Sequence, residues 1–235
     1  MDDRRAQLRD NLAAVQERMA AAAREAGRQL SDIKLVAVTK YAELDDVRLL
    51  WELGVRDFGE SRPQQLVERA EQLADLSLQW HLIGHWQRNK IRRTLPHVFL
   101  LHAGDSWRLL EAVDAEARRA GRSLAVLLEV NISGDATKHG FAPEELEPLL
   151  PRLAELSGLR IQGLMAMSGR ESDERTTRRE FAAVRELAER LRRVSPPQWN
   201  WQELSLGMSD DFEWGIAAGA TCVRIGSLLF QGASP

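Results

Sequence analysis

The chain alternates, and the alternation is what most limits its fold. Eight short runs fit β-strands, at 34–39, 55–58, 80–83, 98–101, 124–130, 160–165, 203–205 and 222–225. Between them, apolar residues recur at helical spacing over 43–53, 62–74, 88–94, 105–118, 143–156, 174–194 and 209–218. A strand–helix–strand rhythm favours a parallel sheet, because a helical crossover returns the chain to run beside its first strand in the same direction. Eight strands with seven intervening helices is the count for a (β/α)8 barrel, and 235 residues is close to the ~250 typical of one. A doubly wound open sheet is the competing arrangement. Ahead of the alternation, the first 28 residues carry Leu8, Leu12, Val15 and Met19 on one helical stripe. The expectation is an α/β, single-domain TIM-type (β/α)8 barrel over residues 1–235, with residues 1–30 as an N-terminal helix packed on it. Pro196-Pro197 reads as a turn before strand seven.

Composition removes several classes of function. The formal net charge is -3, and basic residues are interleaved with acidic ones, so nucleic acid is not an expected partner. No apolar stretch approaches the ~20 residues that span a membrane. The N-terminus is charged and amphipathic rather than an apolar signal core. The single cysteine, Cys222, forbids an intrachain disulfide and reads as a small core residue. A cytoplasmic protein is expected.

In a barrel, active sites collect at the C-terminal ends of the strands, with phosphate often held after strands seven and eight. The unusual residues gather there. Lys40 closes Lys34-Leu-Val-Ala-Val-Thr-Lys40, on the alternation face of Val36 and Val38. A lysine so placed is expected to lose hydration, which favours the neutral amine that attacks aldehydes. The other reading is a packed stem with its head in water. Arg224, in Ala220-Thr-Cys-Val-Arg-Ile-Gly-Ser227, needs a partner to sit on a central strand. Gly226 and Ser227 after it, and Leu204-Ser-Leu-Gly-Met-Ser209 upstream, read as phosphate loops, with Ser209 a candidate N-cap of a helix starting near Asp210. Together these features point to a phosphorylated aldehyde. His81 and His85 flank Ile83 on one face, but no third metal ligand stands near them in sequence. They read as core or hydrogen-bonded histidines, and no metal site is expected. Glu129 and Asn131 share a face at the barrel mouth, and Lys138 lies in the loop that follows.

These segments resemble the pyridoxal phosphate homeostasis protein family, single-domain relatives of the alanine racemase N-terminal barrel. The matching stretches run in family order over nearly the whole chain. They are Lys34 to Lys40, Phe58-Gly-Glu-Ser-Arg62, Trp80-His-Leu-Ile-Gly-His85 with Gln87 and Asn89-Lys90, and His102 with Asp105-Ser106. Val130-Asn131, Lys138-His-Gly140, Gly163-Leu-Met165, Leu204 to Ser209 and Val223 to Ser227 complete them. The resemblance implies a barrel that binds pyridoxal 5'-phosphate. Lys40 resembles its Schiff-base lysine and Arg224 the arginine facing the pyridine nitrogen. Ser209, Gly226 and Ser227 fall in its phosphate loops, while Met165 and Ser61 lie near the ring. Two departures stand out. Ser61 replaces the asparagine usual after Phe-Gly-Glu, and Leu228-Leu-Phe-Gln-Gly232 replaces a small residue followed by Ile-Phe-Gly.

The resemblance implies storage, buffering or delivery of the cofactor, with apo forms of cofactor-requiring enzymes as recipients and a monomer as the working unit. No appreciable racemase activity is expected, because the chain ends about ten residues after strand eight and the racemases use a base from a second domain. A racemase-like enzyme on the same cofactor, and a cofactor-free aldolase acting through Lys40, are the alternatives.

Overall fold

The computed structural model describes residues 2–40, 42–135, 137–169, 172–196, 199 and 201–232. Its eight strands are β1 (Lys34–Val38), β2 (Asp57–Glu60), β3 (Gln79–Leu82), β4 (Leu100–Gly104), β5 (Leu124–Val130), β6 (Leu159–Ala166), β7 (Glu203–Ser205) and β8 (Cys222–Ile225). They pair in chain order, all parallel, and β8 closes on β1. The architecture is therefore the barrel and not the open sheet. Around it lie α1 (Asp2–Glu25), α2 (Leu44–Glu52), α3 (Pro63–Gln72), α4 (Ile91–Thr94), α5 (Trp107–Arg119), α6 (Pro143–Leu153), α7 (Glu174–Val194), α8 (Phe212–Ala217) and α9 (Ser227–Phe230). Pro197, in the turn expected before β7, lies outside the described residues.

The apolar stripe of α1 does what its spacing implies. Leu8, Leu12, Val15 and Met19 are all buried, and the helix packs on α8 and α9. Each such side chain stabilises by ~1.5–3 kcal/mol relative to exposure. Two strands begin two residues later than their apolar runs suggest. Before β2, the Val55 N–H closes α2 on the Leu50 carbonyl. Before β4, the Val98 N–H closes a turn on Leu95. Both residues are apolar and buried, but their backbones are committed elsewhere. Gly163 is required by close approach: a Cβ there would overlap the Glu203 carbonyl oxygen of β7.

A buried ionic cluster fixes the exit of β1. Glu60 Oε1 accepts from Thr39 Oγ1 at 2.6 Å and lies 3.0 Å from Arg69 Nε. Arg69 Nη2 donates to the Ala42 carbonyl at 2.5 Å. Glu60 is fully buried, and burial raises its carboxyl above the usual range, against the lowering pull of Thr39 and Arg69. Breaking such a pair from one side strands a charge. Arg69→Ala is expected to cost about 3–5 kcal/mol in urea unfolding at pH 8. Because Glu60 can then protonate, the loss should shrink toward pH 5. Combining Arg69→Met with Glu60→Leu should recover most of it, and a double variant as weak as the single one would show that the ion pair is not what anchors this exit.

Candidate functional site

Residues paired across parallel strands point to the same side of the sheet. The register aligns Glu129 with Met165, Met165 with Ser205, and Ser205 with Cys222, making one rung across β5 to β8. One step nearer the C-terminal rim, Arg224 of β8 stands beside Val36 of β1. Arg224 is buried and satisfied by oxygens that carry no charge. Its Nη1 donates to the Ser205 carbonyl at 2.7 Å and to the Ser205 hydroxyl, and its Nη2 donates to the Ala166 carbonyl at 3.1 Å. Burial pulls its pKa down, while Cys222, Asp211 and Glu129 pull it up. An arginine stays protonated in such a setting, so the barrel holds a fixed cation below its mouth.

The two late loops meet. Ser209 Oγ accepts from the Gly226 N–H at 3.2 Å. Gly226 passes so near β1 that a Cβ there would lie 3.3 Å from both the carbonyl oxygen and the Cβ of Val38. Gly207, at φ +90°, makes the turn out of β7. Ser227 is exposed and opens α9 directly after Gly226. One expectation is corrected here. Ser209 does not cap α8: that helix starts at Phe212, with Asp211 in the N-cap position. Asp211 Oδ1 instead accepts from the Met208 N–H at 2.6 Å and Oδ2 from the Ser168 hydroxyl at 2.7 Å, and this shapes the loop before the helix can begin.

At Lys40 the structure takes the second of the two readings. β1 ends at Val38, and Lys40, two residues beyond it, is exposed rather than desolvated by its own strand. Its carbonyl accepts from Gln65 Nε2 of α3 at 3.1 Å. Because Val38 pairs with Gly59, Lys40 and Ser61 leave neighbouring strands at the same level. Ser61 is half-buried, and its carbonyl lies where a Cβ on Gly84 would have to go. Met165 is fully buried within the barrel rung.

Sequence reading named several polar residues of this region without giving their partners. His81 and His102 are both fully buried and bonded to each other, Nδ1 to Nε2, at 2.8 Å. They share inward period-two positions on β3 and β4, but only the register reveals that they meet. His85 is exposed, not core, and its Nδ1 bonds Asp105 Oδ2 at 2.6 Å. His139 stacks on it with ring centroids 5.0 Å apart. One ligating atom from each of His85, Asp105 and His139 lies within 4.8 Å of the others, a spacing that can hold a metal ion. His81 is not part of this group; the fold gives His85 two other partners, Asp105 and His139. Two cavities open nearby. One of about 520 Å³ is lined by His85, Gln87 and Ser106 among others, and one of about 590 Å³ by Lys138, Ser168, Met208 and Asp211 among others. Lys138 Nζ donates to the Ser168 carbonyl at 2.7 Å, so it closes a wall of the second cavity.

Comparison with known proteins supplies the family. Residues 7–235 match the alanine racemase N-terminal domain family. The pyridoxal phosphate homeostasis protein of Pseudomonas aeruginosa is 39% identical over 224 residues, covering 95% of this chain and 94% of that protein. The protein of the same name from Aquifex aeolicus is 36% identical, covering 94% and 96%. Among solved structures, PipY of Synechococcus elongatus with PLP bound aligns at a TM-score of 0.83 and 32% identity, covering 95% of this chain and 99% of that one. An alanine racemase of Clostridium difficile aligns at 0.76 but is only 16% identical, and this chain covers 56% of it. That likeness is one of fold.

Glu129 gives the site a measurable pH response. It is buried, and burial with the nearby Asp105 carboxylate raises its pKa from 4.5 to about 7, against Arg224, His85 and Lys138. A carboxyl whose pKa is higher in the folded state binds its proton more tightly there, so its contribution to stability is complete below about 4.5 and is lost as pH rises through about 7. Glu129→Gln should therefore match the parent near pH 4.5 and exceed it above pH 7 by about 2–4 kcal/mol in chemical denaturation. Parallel stability curves for the two proteins between pH 4.5 and 8 would contradict this assignment.

Proposed function

We propose that this chain, which belongs to the pyridoxal phosphate homeostasis protein family, binds pyridoxal 5'-phosphate at its barrel mouth and holds it for storage, buffering or delivery. The observation that carries the reading is the buried Arg224, fixed by neutral oxygens one step below the rim where Lys40, Ser61 and the two late loops converge. The residues fit the group. Lys40 offers an exposed amine for the aldehyde. Ser209 and Ser227 offer hydroxyls, and Gly226 a loop without side chain, for the phosphate. Met165 and Ser61 would lie near the ring, and Arg224 would face its nitrogen.

When bound, pyridoxal phosphate supplies an electron sink whose strength depends on a proton at the pyridine nitrogen. The permanent charge of Arg224 opposes that proton. Arg224 thus favours holding the cofactor over driving amino-acid chemistry with it. Lys40 is exposed, so a ligand can reach it from solvent. On this reading the protein works in the cytoplasm as a monomer, and apo forms of cofactor-requiring enzymes receive what it releases.

Borohydride treatment of the loaded protein, followed by peptide mapping, should place a pyridoxyl group on Lys40. A main adduct on Lys138 or Lys90 would move the site. Ser209→Ala should weaken binding of the phosphorylated aldehyde by roughly 1.5–3 kcal/mol and leave pyridoxal nearly unaffected in absorbance titrations. Equal affinity of the parent for the two aldehydes would remove the phosphate loops from the site.

The loaded protein should also show no appreciable turnover of alanine or other amino acids when chirality is followed with time. Racemisation that disappears in Lys40→Ala would replace the carrier reading with an enzyme.

A further inference from the structure

A row of buried polar side chains runs through the barrel from its N-terminal foot to Arg224. Asp57, the first residue of β2, places Oδ1 at 2.9 Å from His81 Nε2. His81 Nδ1 lies 2.8 Å from His102 Nε2, and His102 Nδ1 lies 2.9 Å from Ser205 Oγ. The Ser205 hydroxyl in turn accepts from Arg224 Nη1. His81, His102 and Ser205 are fully buried, while Asp57 keeps some exposure at the foot.

The two ends of this row impose one direction on every hydrogen bond. Arginine has only donors, so Ser205 Oγ must accept from Arg224 and can donate its own proton to His102 Nδ1. An ionised aspartate has only acceptors, so His81 Nε2 must donate to Asp57. A neutral His81 then presents a bare Nδ1, which accepts from His102 Nε2–H. His102 is left with a bare Nδ1 that accepts from Ser205. Reading from either end gives the same two tautomers. The groups around the rings agree with neutrality. Burial lowers both histidines, and Lys34 and Arg224 lower His102 further. Asp57 and Glu203 act to raise His81, and Lys34 to lower it, with Lys34 and Glu203 paired at 3.2 Å. The Cys222 thiol beside Ser205 is pushed up to about 12 by burial, so it remains protonated and does not compete as a thiolate for the serine proton.

We propose that Asp57, His81, His102 and Ser205 form a singly polarised chain that positions the Arg224 guanidinium for the cofactor ring from the opposite end of the barrel. This rests on the functional reading above and extends it. Arg224 is the residue at the ring, and the other four are positioning residues that act only through it. With the chain intact, Ser205 Oγ keeps its proton on His102 and its lone pair toward Arg224, so a guanidinium that turned away would leave that buried acceptor and its own buried N–H unpaired. The foot of the barrel thereby governs the electronic environment at its mouth.

Nitrogen-15 NMR on histidine- and arginine-labelled cofactor-free protein tests the chain first. Of the five histidines, His81 and His102 should be neutral, protonated on Nε2 and unresponsive between pH 5 and 9. The Arg224 Nη signals should be separately resolved and should merge in Ser205→Ala. The loaded protein tests the consequence. Ser205→Ala and Asp57→Ala should shift the absorption band of the bound cofactor and weaken binding about tenfold, the loss of roughly one hydrogen bond. Asp57→Asn keeps an acceptor for His81 and should restore the parental band. A proton on His102 Nδ1, either ring titrating in that range, or Asp57→Ala with a parental band would overturn the proposal. Normal cofactor uptake with the wrong tautomers would sink the chain alone. Correct tautomers in a protein that takes up no cofactor would sink the functional reading, and the positioning role with it.

Discussion

Burying a guanidinium inside a closed barrel is the constraint from which the interior follows. Closure of eight strands leaves Arg224 without bulk water, and no carboxylate pairs with it among the described residues. Its charge is met by carbonyl oxygens of β6 and β7 and by one serine hydroxyl. That choice propagates. The serine must pass its proton onward, the first histidine must receive it, and the second must end on an acid. An acid directly on the arginine would have been a stronger partner electrostatically, but it would also have neutralised a fixed cation that the interior presents to its mouth. The acid is instead kept at the foot, three side chains away.

The rim is built differently from the interior. There the polar groups serve chain connections more than one another. Glu60 and Arg69 tie the exit of β1 to α3, and Ser209 ties the loop after β7 to the one after β8. Each tie brings a backbone segment to a set position while leaving Lys40 and Ser227 in contact with solvent. A rigid interior beneath an accessible rim suits a protein whose task is to take up and release a ligand.

Family membership and fold similarity carry different weight here. The relatives at 36–39% identity match nearly end to end, and their shared name concerns cofactor homeostasis. The racemase shares the barrel at 16% identity over about half its own length. A barrel of this kind hosts many chemistries, so the functional argument rests on Arg224, Lys40 and the paired loops and not on topology. The two sequence departures fall outside the strands, at Ser61 just after β2 and at residues 228–232, which take in most of α9 and the turn after it.

Periodicity alone made the strand and helix order legible, together with the stripe of α1 and the gathering of Lys40, Ser209, Arg224 and Gly226 at one end. Those properties follow from local alternation, which every residue carries independently of the fold. Strand starts were less legible, because Val55 and Val98 are as apolar as strand residues and only their hydrogen bonds place them in the preceding turns. The hydration of Lys40 stayed between two readings for a related reason: alternation gives a direction along the strand but not the point where the strand ends and water begins. The pairing of His81 with His102, of Ser209 with Gly226, and of His85 with Asp105 and His139 belongs to the tertiary structure alone. These partners come from different strands or loops, and their meeting depends on barrel closure and register, which arise from the packing of all eight strands together.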